Sequence, residues 1–194
     1  MLIETEATPN PASLKFLPGR PVMEAGGTRE FSSPEAAEAS PLAQALFDTG
    51  EVTGVFFGGD FVTVTAAPGV AWSDLKPAVL SVLLDHFVSQ APLFAPGTAA
   101  GIAVPGADDD LLFEDREEDA DIVAQINELI ETRVRPAVAG DGGDIRYRGF
   151  KDGVVYLQMQ GACSGCPSSS ATLKHGIEGL LKHYVPEVVE VRAA

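Results

Sequence analysis

Cysteine is nearly missing from this chain. Its 194 residues include two, Cys163 and Cys166, and both sit in a single C-x-x-C. A secreted scaffold would spread several cysteines to staple its loops, so a structural disulfide framework is excluded as the organising device. Positive charge is also scarce: 13 Lys and Arg stand against 28 Asp and Glu, for a formal net charge of −15. That balance argues against nucleic acid, whose phosphates need cationic neutralisation. No apolar run reaches the ~18 residues of a membrane span, so no membrane role is expected. The start, MLIETEATPNP, has neither the basic region and apolar core of a secretory signal nor the Arg-rich look of an organelle presequence. The expectation is a cytoplasmic protein, of the bacterial cytosol, or of the mitochondrial matrix if a presequence has been removed.

Apolar residues make up 45% of the chain, enough for a packed core. Charge divides it into three. Residues 1–90 carry 11 acidic and 4 basic side chains, residues 91–121 carry 9 and 1, and residues 122–194 carry 8 and 8. The first part predicts short strands over 12–17 and 22–31, a helix over 41–48, and a hairpin of Val52–Phe57 with 61–66 across Gly58-Gly59-Asp60. Helical spacing then runs from Trp72 through Phe87. Pro92, Pro96 and Pro105, with Gly97, Gly101 and Gly106, precede an acidic block, a composition that reads as an extended linker. Beyond it an apolar stripe from Ile122 to Val134 predicts a helix stopped by Pro136. Strands over 145–150 and 154–160, a helix over 167–183 and a strand over 187–192 complete the chain. The expected fold class is α+β: two small mixed α/β domains, 1–90 and 119–194, joined by a Pro/Gly-rich, acidic, flexible linker over 91–118.

The cysteine pair lies where a strand ends and a helix begins. Pro167 suits the first helical position, which places Cys166 near the N-cap, where unpaired N–H groups and the helix dipole favour thiolate. Three chemistries fit. Thiol–disulfide exchange needs only the two cysteines and a lowered pKa. A zinc site would recruit His86, His175 or His183, but His175 and His183 stand eight apart, outside the usual spacing. An iron–sulfur cluster takes four thiolates; one chain supplies two, so a two-fold dimer would supply four around a cluster on its axis. The C-x-x-C alone does not separate exchange from cluster binding. Its surroundings do: the pair follows an antiparallel hairpin late in the chain, preceded by Gly161-Ala162 rather than by an aromatic.

At this point the sequence resembles the Nfu family of NifU-like iron–sulfur cluster scaffold and carrier proteins. The resemblance rests on TPNPASLKFLPG at 8–19 and VTGVFFGGDFVTVT at 52–65 in the first part. In the second it rests on Arg135-Pro136, DGGDI at 141–145 and GACSGCPSSSATLKHGIEGLL at 161–181. It implies a [4Fe–4S] cluster, with [2Fe–2S] as the alternative, bridging a homodimer through the metal-binding Cys163 and Cys166 of each chain. It implies delivery to apo iron–sulfur proteins alongside other cluster-assembly proteins. No catalytic residue and no enzymatic turnover are implied; a dithiol–disulfide oxidoreductase on the same C-x-x-C is the alternative. Asp141 and Asp144 are read as turn residues, and Gly176 and Gly179 as positions of close packing on the sheet or on a dimer partner.

Overall fold

The structure, a computed structural model, describes residues 2–23, 27–98, 115–164 and 167–194. They form two compact units, within 1–105 and 106–194, of mixed helix and sheet, as the α+β expectation has it.

The first unit is a five-stranded antiparallel sheet in the order β1-β2-β5-β4-β3. Its strands are β1 (Glu4–Ala7), β2 (Ser13–Leu17), β3 (Arg29–Phe31), β4 (Val52–Phe57) and β5 (Val62–Ala66). Alternation along each strand sends Phe16, Val55, Phe57, Val62 and Val64 to one face, where all are buried. Three helices pack side chains into the same core: α1 (Pro34–Ala37), α2 (Pro41–Phe47) and α3 (Trp72–Ser89). Ser33 and Ser40 cap the first two, accepting from Ala36 N and Ala43 N, each with Pro at the first helical position. In α3, Leu75, Val79, Leu83 and Phe87 recur every four residues and form one buried stripe.

Residues 91–98, assigned by composition to the linker, are fastened to this unit. Leu93 and Phe94 pack on its core. The Ser40 hydroxyl donates to Leu93 O, and Ala95 N and Thr98 Oγ1 both donate to Ala39 O at 3.0 Å. Of the linker expected over 91–118, residues 99–114 lie outside the described residues, and Asp115 is already bonded to Tyr147 and Phe150 of the second unit.

The second unit opens with a helical rod made of α4 (Ala120–Leu129), a π turn (Ile130–Val134) and α5 (Arg135–Gly140). Its buried residues, Ile126, Ile130, Val134 and Val138, also recur every four. At 3.6 residues per turn, each step overshoots the face by about 40°, and the π turn returns the stripe to the core. This corrects the expectation that Pro136 stops the helix. The π turn has already displaced the ordinary hydrogen-bond ladder, so the missing proline N–H falls where that ladder is interrupted.

The rod packs with a three-stranded sheet, β6 (Gly143–Lys151), β7 (Val154–Gly161) and β8 (Glu190–Ala193), in that order. β6 and β7 form an antiparallel hairpin closed by Asp152 and Gly153, both at positive φ (52° and 80°). A bulge between Tyr147 and Gly149 shifts its register. The chain crosses over through α6 (Pro167–Tyr184) to place β8 parallel to β7. Ile177 and Leu181 bury the inner face of α6, whereas Tyr184 is 44% exposed with the Arg133 guanidinium 4.9 Å from its ring centre. A Cβ at Gly176 or Gly179 would meet nothing within 4 Å, so packing on this chain's own sheet is not the reason for either glycine.

Candidate metal-binding cysteine and its supports

β7 ends at Gly161, whose φ of 68° turns the chain out of the sheet, and α6 begins at Pro167. Between them Ala162 N donates to Gly142 O at 3.2 Å, and Ser164 donates through N and Oγ to Gly161 O at 3.1 and 2.9 Å. These bonds tie the start of the C-x-x-C to the turn that precedes β6. Cys163 is 5% exposed and belongs to the second unit's core. Cys166 lies outside the described residues.

The Cys163 sulfur rests against Gly143. A Cβ there would stand 2.9 Å from Sγ and 2.4 Å from the Gln160 carbonyl oxygen, so no side chain fits. Gly143 pairs with Gly161 across the hairpin, and the two glycines let the turn and the cysteine-bearing segment close on each other.

Next to Gly143, Asp144 is 3% exposed and held by Arg135, Nε to Oδ1 at 2.8 Å and Nη2 to Oδ2 at 2.9 Å. Arg135 also meets Glu131 one helical turn earlier at 3.0 Å. Burial alone would lower the Arg135 pKa; the hydrogen bond and charge of Asp144, followed by Glu131, outweigh it and raise it. Asp144 therefore braces the turn against the rod rather than serving as turn chemistry alone. In the sequence the pair shows only as Arg135-Pro136 and the DGGDI run at 141–145, with the two charges nine residues apart.

The thiolate-favouring helix terminus expected around Cys166 lies outside the described residues, and Cys163 has a different environment. Burial first, then the carboxylates of Asp141 and Asp144, push the Cys163 pKa up to about 12. Cys163 precedes α6 by four residues and sits in apolar packing beside two acids. A protonated, buried thiol is a poor nucleophile toward disulfides at neutral pH. It can still ligate a metal that displaces its proton, which makes loading proton-coupled. Exchange and metal ligation both use the thiolate, so either one at Cys163 is coupled to loss of a proton. Among the described residues no group of three His, Cys, Asp or Glu gathers as a metal site. His86 lies on α3 of the first unit and His183 stands edge-on to Tyr184 at 4.9 Å.

Comparison with known proteins matches both units. The family model described as scaffold protein Nfu/NifU N terminal covers residues 3–90, and that described as NifU-like domain covers residues 126–192. The chain is similar to NifU-like protein 4, mitochondrial, of Arabidopsis thaliana, 52% identical over 97% of this chain and 64% of that protein. It is 47% identical to the NFU1 iron-sulfur cluster scaffold homolog, mitochondrial, of Drosophila ananassae, over 98% of this chain and 63% of that protein. The Homo sapiens NFU1 iron-sulfur cluster scaffold homolog, mitochondrial, is 48% identical over 97% of this chain and 70% of its own length. The chain thus spans just under two thirds of the first two of these relatives.

Proposed function

The chain belongs to the Nfu family of NifU-like iron–sulfur cluster scaffold proteins, and from that premise we propose that it carries a [4Fe–4S] cluster shared by two copies of the chain and passes it to apo-proteins. In this reading Cys163 and Cys166 of each copy supply four thiolates, and the cluster is cargo rather than a resident cofactor. In the same reading residues 119–194 hold it and residues 1–90 meet partners. The protein has no turnover chemistry of its own. The relatives' mitochondrial names support the matrix rather than the bacterial cytosol as its compartment. No described helix is long and apolar enough to cross a membrane.

The observation that carries the reading is the seat of Cys163: a thiol at the β7–α6 junction, locked by Gly143 and the Arg135–Asp144 pair. Gly143 leaves no room for a side chain beside the sulfur, while the nearby carboxylates of Asp141 and Asp144 disfavour a bare thiolate. Such a ligand holds metal without gaining charge stabilisation from its surroundings, which suits a cluster that must leave.

Anaerobic reconstitution with iron and sulfide tests this. About two irons and two sulfides per chain, on a dimer, are expected for one [4Fe–4S] per pair. About one of each indicates a shared [2Fe–2S]. Cys163→Ala and Cys166→Ala should each abolish loading, and a single variant that loads fully sinks the shared site. Absence of bound iron together with rapid disulfide reduction transfers the assignment to a dithiol oxidoreductase.

A further inference from the structure

Asp141 occupies a place where an acid works against the fold. It is the C-cap of α5, at φ −81°, and its N–H donates to Ala137 O and Ala139 O. An anion there faces the negative end of the helix dipole, which costs stability. The last turn of α5 holds no basic residue to offset it. Among the described residues no hydrogen bond or ion pair engages its carboxylate. Asp144, three residues on, differs, because the Arg135 guanidinium meets its charge at 2.8 and 2.9 Å.

The turn that carries Asp141 is pressed against the cysteine segment. Gly142 O accepts from Ala162 N at 3.2 Å, and a Cβ at Gly143 would stand 2.9 Å from Cys163 Sγ. Two peptide steps from Gly143 then place the Asp141 Cα within about 12 Å of that sulfur. Gly142, Gly143, Ala162 and Cys163 are all buried, so little water lies between to weaken a charge. After burial, Asp141 and then Asp144 are what raise the Cys163 pKa. We propose that Asp141 acts through Cys163 as a release residue, a fixed negative charge that weakens the hold of the site on its cluster and favours transfer. This rests on the reading of Cys163 as a cluster ligand. A cluster held by four thiolates carries net negative charge, which a neighbouring anion disfavours, whereas the protonated apo site carries none. In the hand-over the iron–Sγ bond breaks and the Cys163 thiolate takes up a proton. The iron binds an acceptor thiolate that has given one up, and no electron moves.

The test compares the full chain with Asp141→Asn, which removes the charge and keeps the shape, and Asp141→Glu, which keeps the charge. Each is loaded anaerobically with iron and sulfide, and the loss of visible cluster absorbance is followed in excess EDTA. Asp141→Asn is expected to lose its cluster at least about threefold more slowly than the parent, and Asp141→Glu at close to the parent rate. In unloaded chains carrying Cys166→Ser, iodoacetamide should alkylate Cys163 at least about threefold faster with Asp141→Asn, and Asp141→Glu should restore the slower rate. The urea midpoint of the second unit, read through tyrosine, should hold or rise in Asp141→Asn. A lower midpoint would make Asp141 a structural turn residue and overturns the proposal. Release or alkylation at the parent rate in Asp141→Asn, or the same change in Asp141→Glu, overturns it as well. A parent chain that takes up no iron brings down the cluster reading and this proposal with it; a parent that loads, and releases no faster than Asp141→Asn, brings down this proposal alone.

Discussion

Arg135 and Asp144 face each other as a two-pronged pair, with hydrogen bonds of 2.8 and 2.9 Å, in a setting where the carboxylate is almost wholly buried. Removing the guanidinium leaves that charge without compensation. Arg135→Gln should therefore destabilise the second unit by about 3–5 kcal/mol, whereas Arg135→Leu with Asp144→Leu should recover most of the loss. The aromatic residues allow the units to be read separately. The only tryptophan, Trp72, lies in the first, and the three tyrosines, Tyr147, Tyr156 and Tyr184, lie in the second. Urea unfolding followed through tyrosine should shift, while the tryptophan signal stays in place. Coincident loss of both signals would contradict the brace as a feature of the second unit alone.

Glycines in the second unit should respond in opposite directions. At Gly143 a methyl group would press on the Gln160 carbonyl, a backbone atom, and on Cys163 Sγ. Gly143→Ala should cost about 1–3 kcal/mol, in the range of an overpacked core, and reduce iron bound per chain. Gly176 and Gly179 sit within α6, and a methyl group at either meets only open space. Gly176→Ala and Gly179→Ala should each stabilise the apo chain by about 1 kcal/mol. If the same two substitutions lower dimer formation in the loaded protein, a partner copy closes over that helix, the remaining half of the close-packing expectation.

Much of this architecture was legible because periodicity is a local signal. The β4–β5 hairpin, α3, the β6–β7 hairpin and α6 all announce themselves in their own apolar spacing. β1 does not: its sequence, ETEA, becomes a strand only by pairing with β2 at the sheet edge. The helix past Pro136 escaped because a π turn cannot be read from a proline rule. Residues 91–98 look like linker by composition, yet Leu93 and Phe94 find a core contributed by distant segments. At the site, the position of Cys163 could be read but its environment could not. Its raised pKa comes from burial and from carboxylates about twenty residues away in sequence, brought together by the hairpin.

That raised pKa has a stability consequence. The folded thiol titrates at about 12 against an ordinary value of 9.0, so the native state keeps its proton longer than the unfolded chain does. The contribution is complete below pH 9 and is lost as pH rises from there toward 12. In this window the second unit of the reduced apo chain should lose up to about 1.4 kcal/mol per pH unit relative to Cys163→Ser. Urea midpoints of the two proteins across alkaline pH measure the difference. Parallel pH profiles would place Cys163 in a more open setting than the one found.

Asp115 closes the outer edge of β6. Its Oδ1 accepts from the Phe150 backbone N–H at 2.9 Å and from the Tyr147 hydroxyl at 2.8 Å. Arg116 beside it reaches Asp152 at 3.3 Å in the hairpin turn, an exposed pair that adds little. Asp115→Ala should cost the second unit about 1–3 kcal/mol, because two donors lose their acceptor at once. Asp115→Asn keeps a carbonyl oxygen in the same place and should cost clearly less. Tyr147 provides an independent readout. Burial first, then the hydrogen bond and charge of Asp115, hold its hydroxyl well above the ordinary tyrosine pKa. Asp115→Ala should therefore bring out tyrosinate absorbance at lower pH than in the parent, with Asp115→Asn between them. An unchanged tyrosinate titration would mean that Asp115 does not grip the β6 edge in solution.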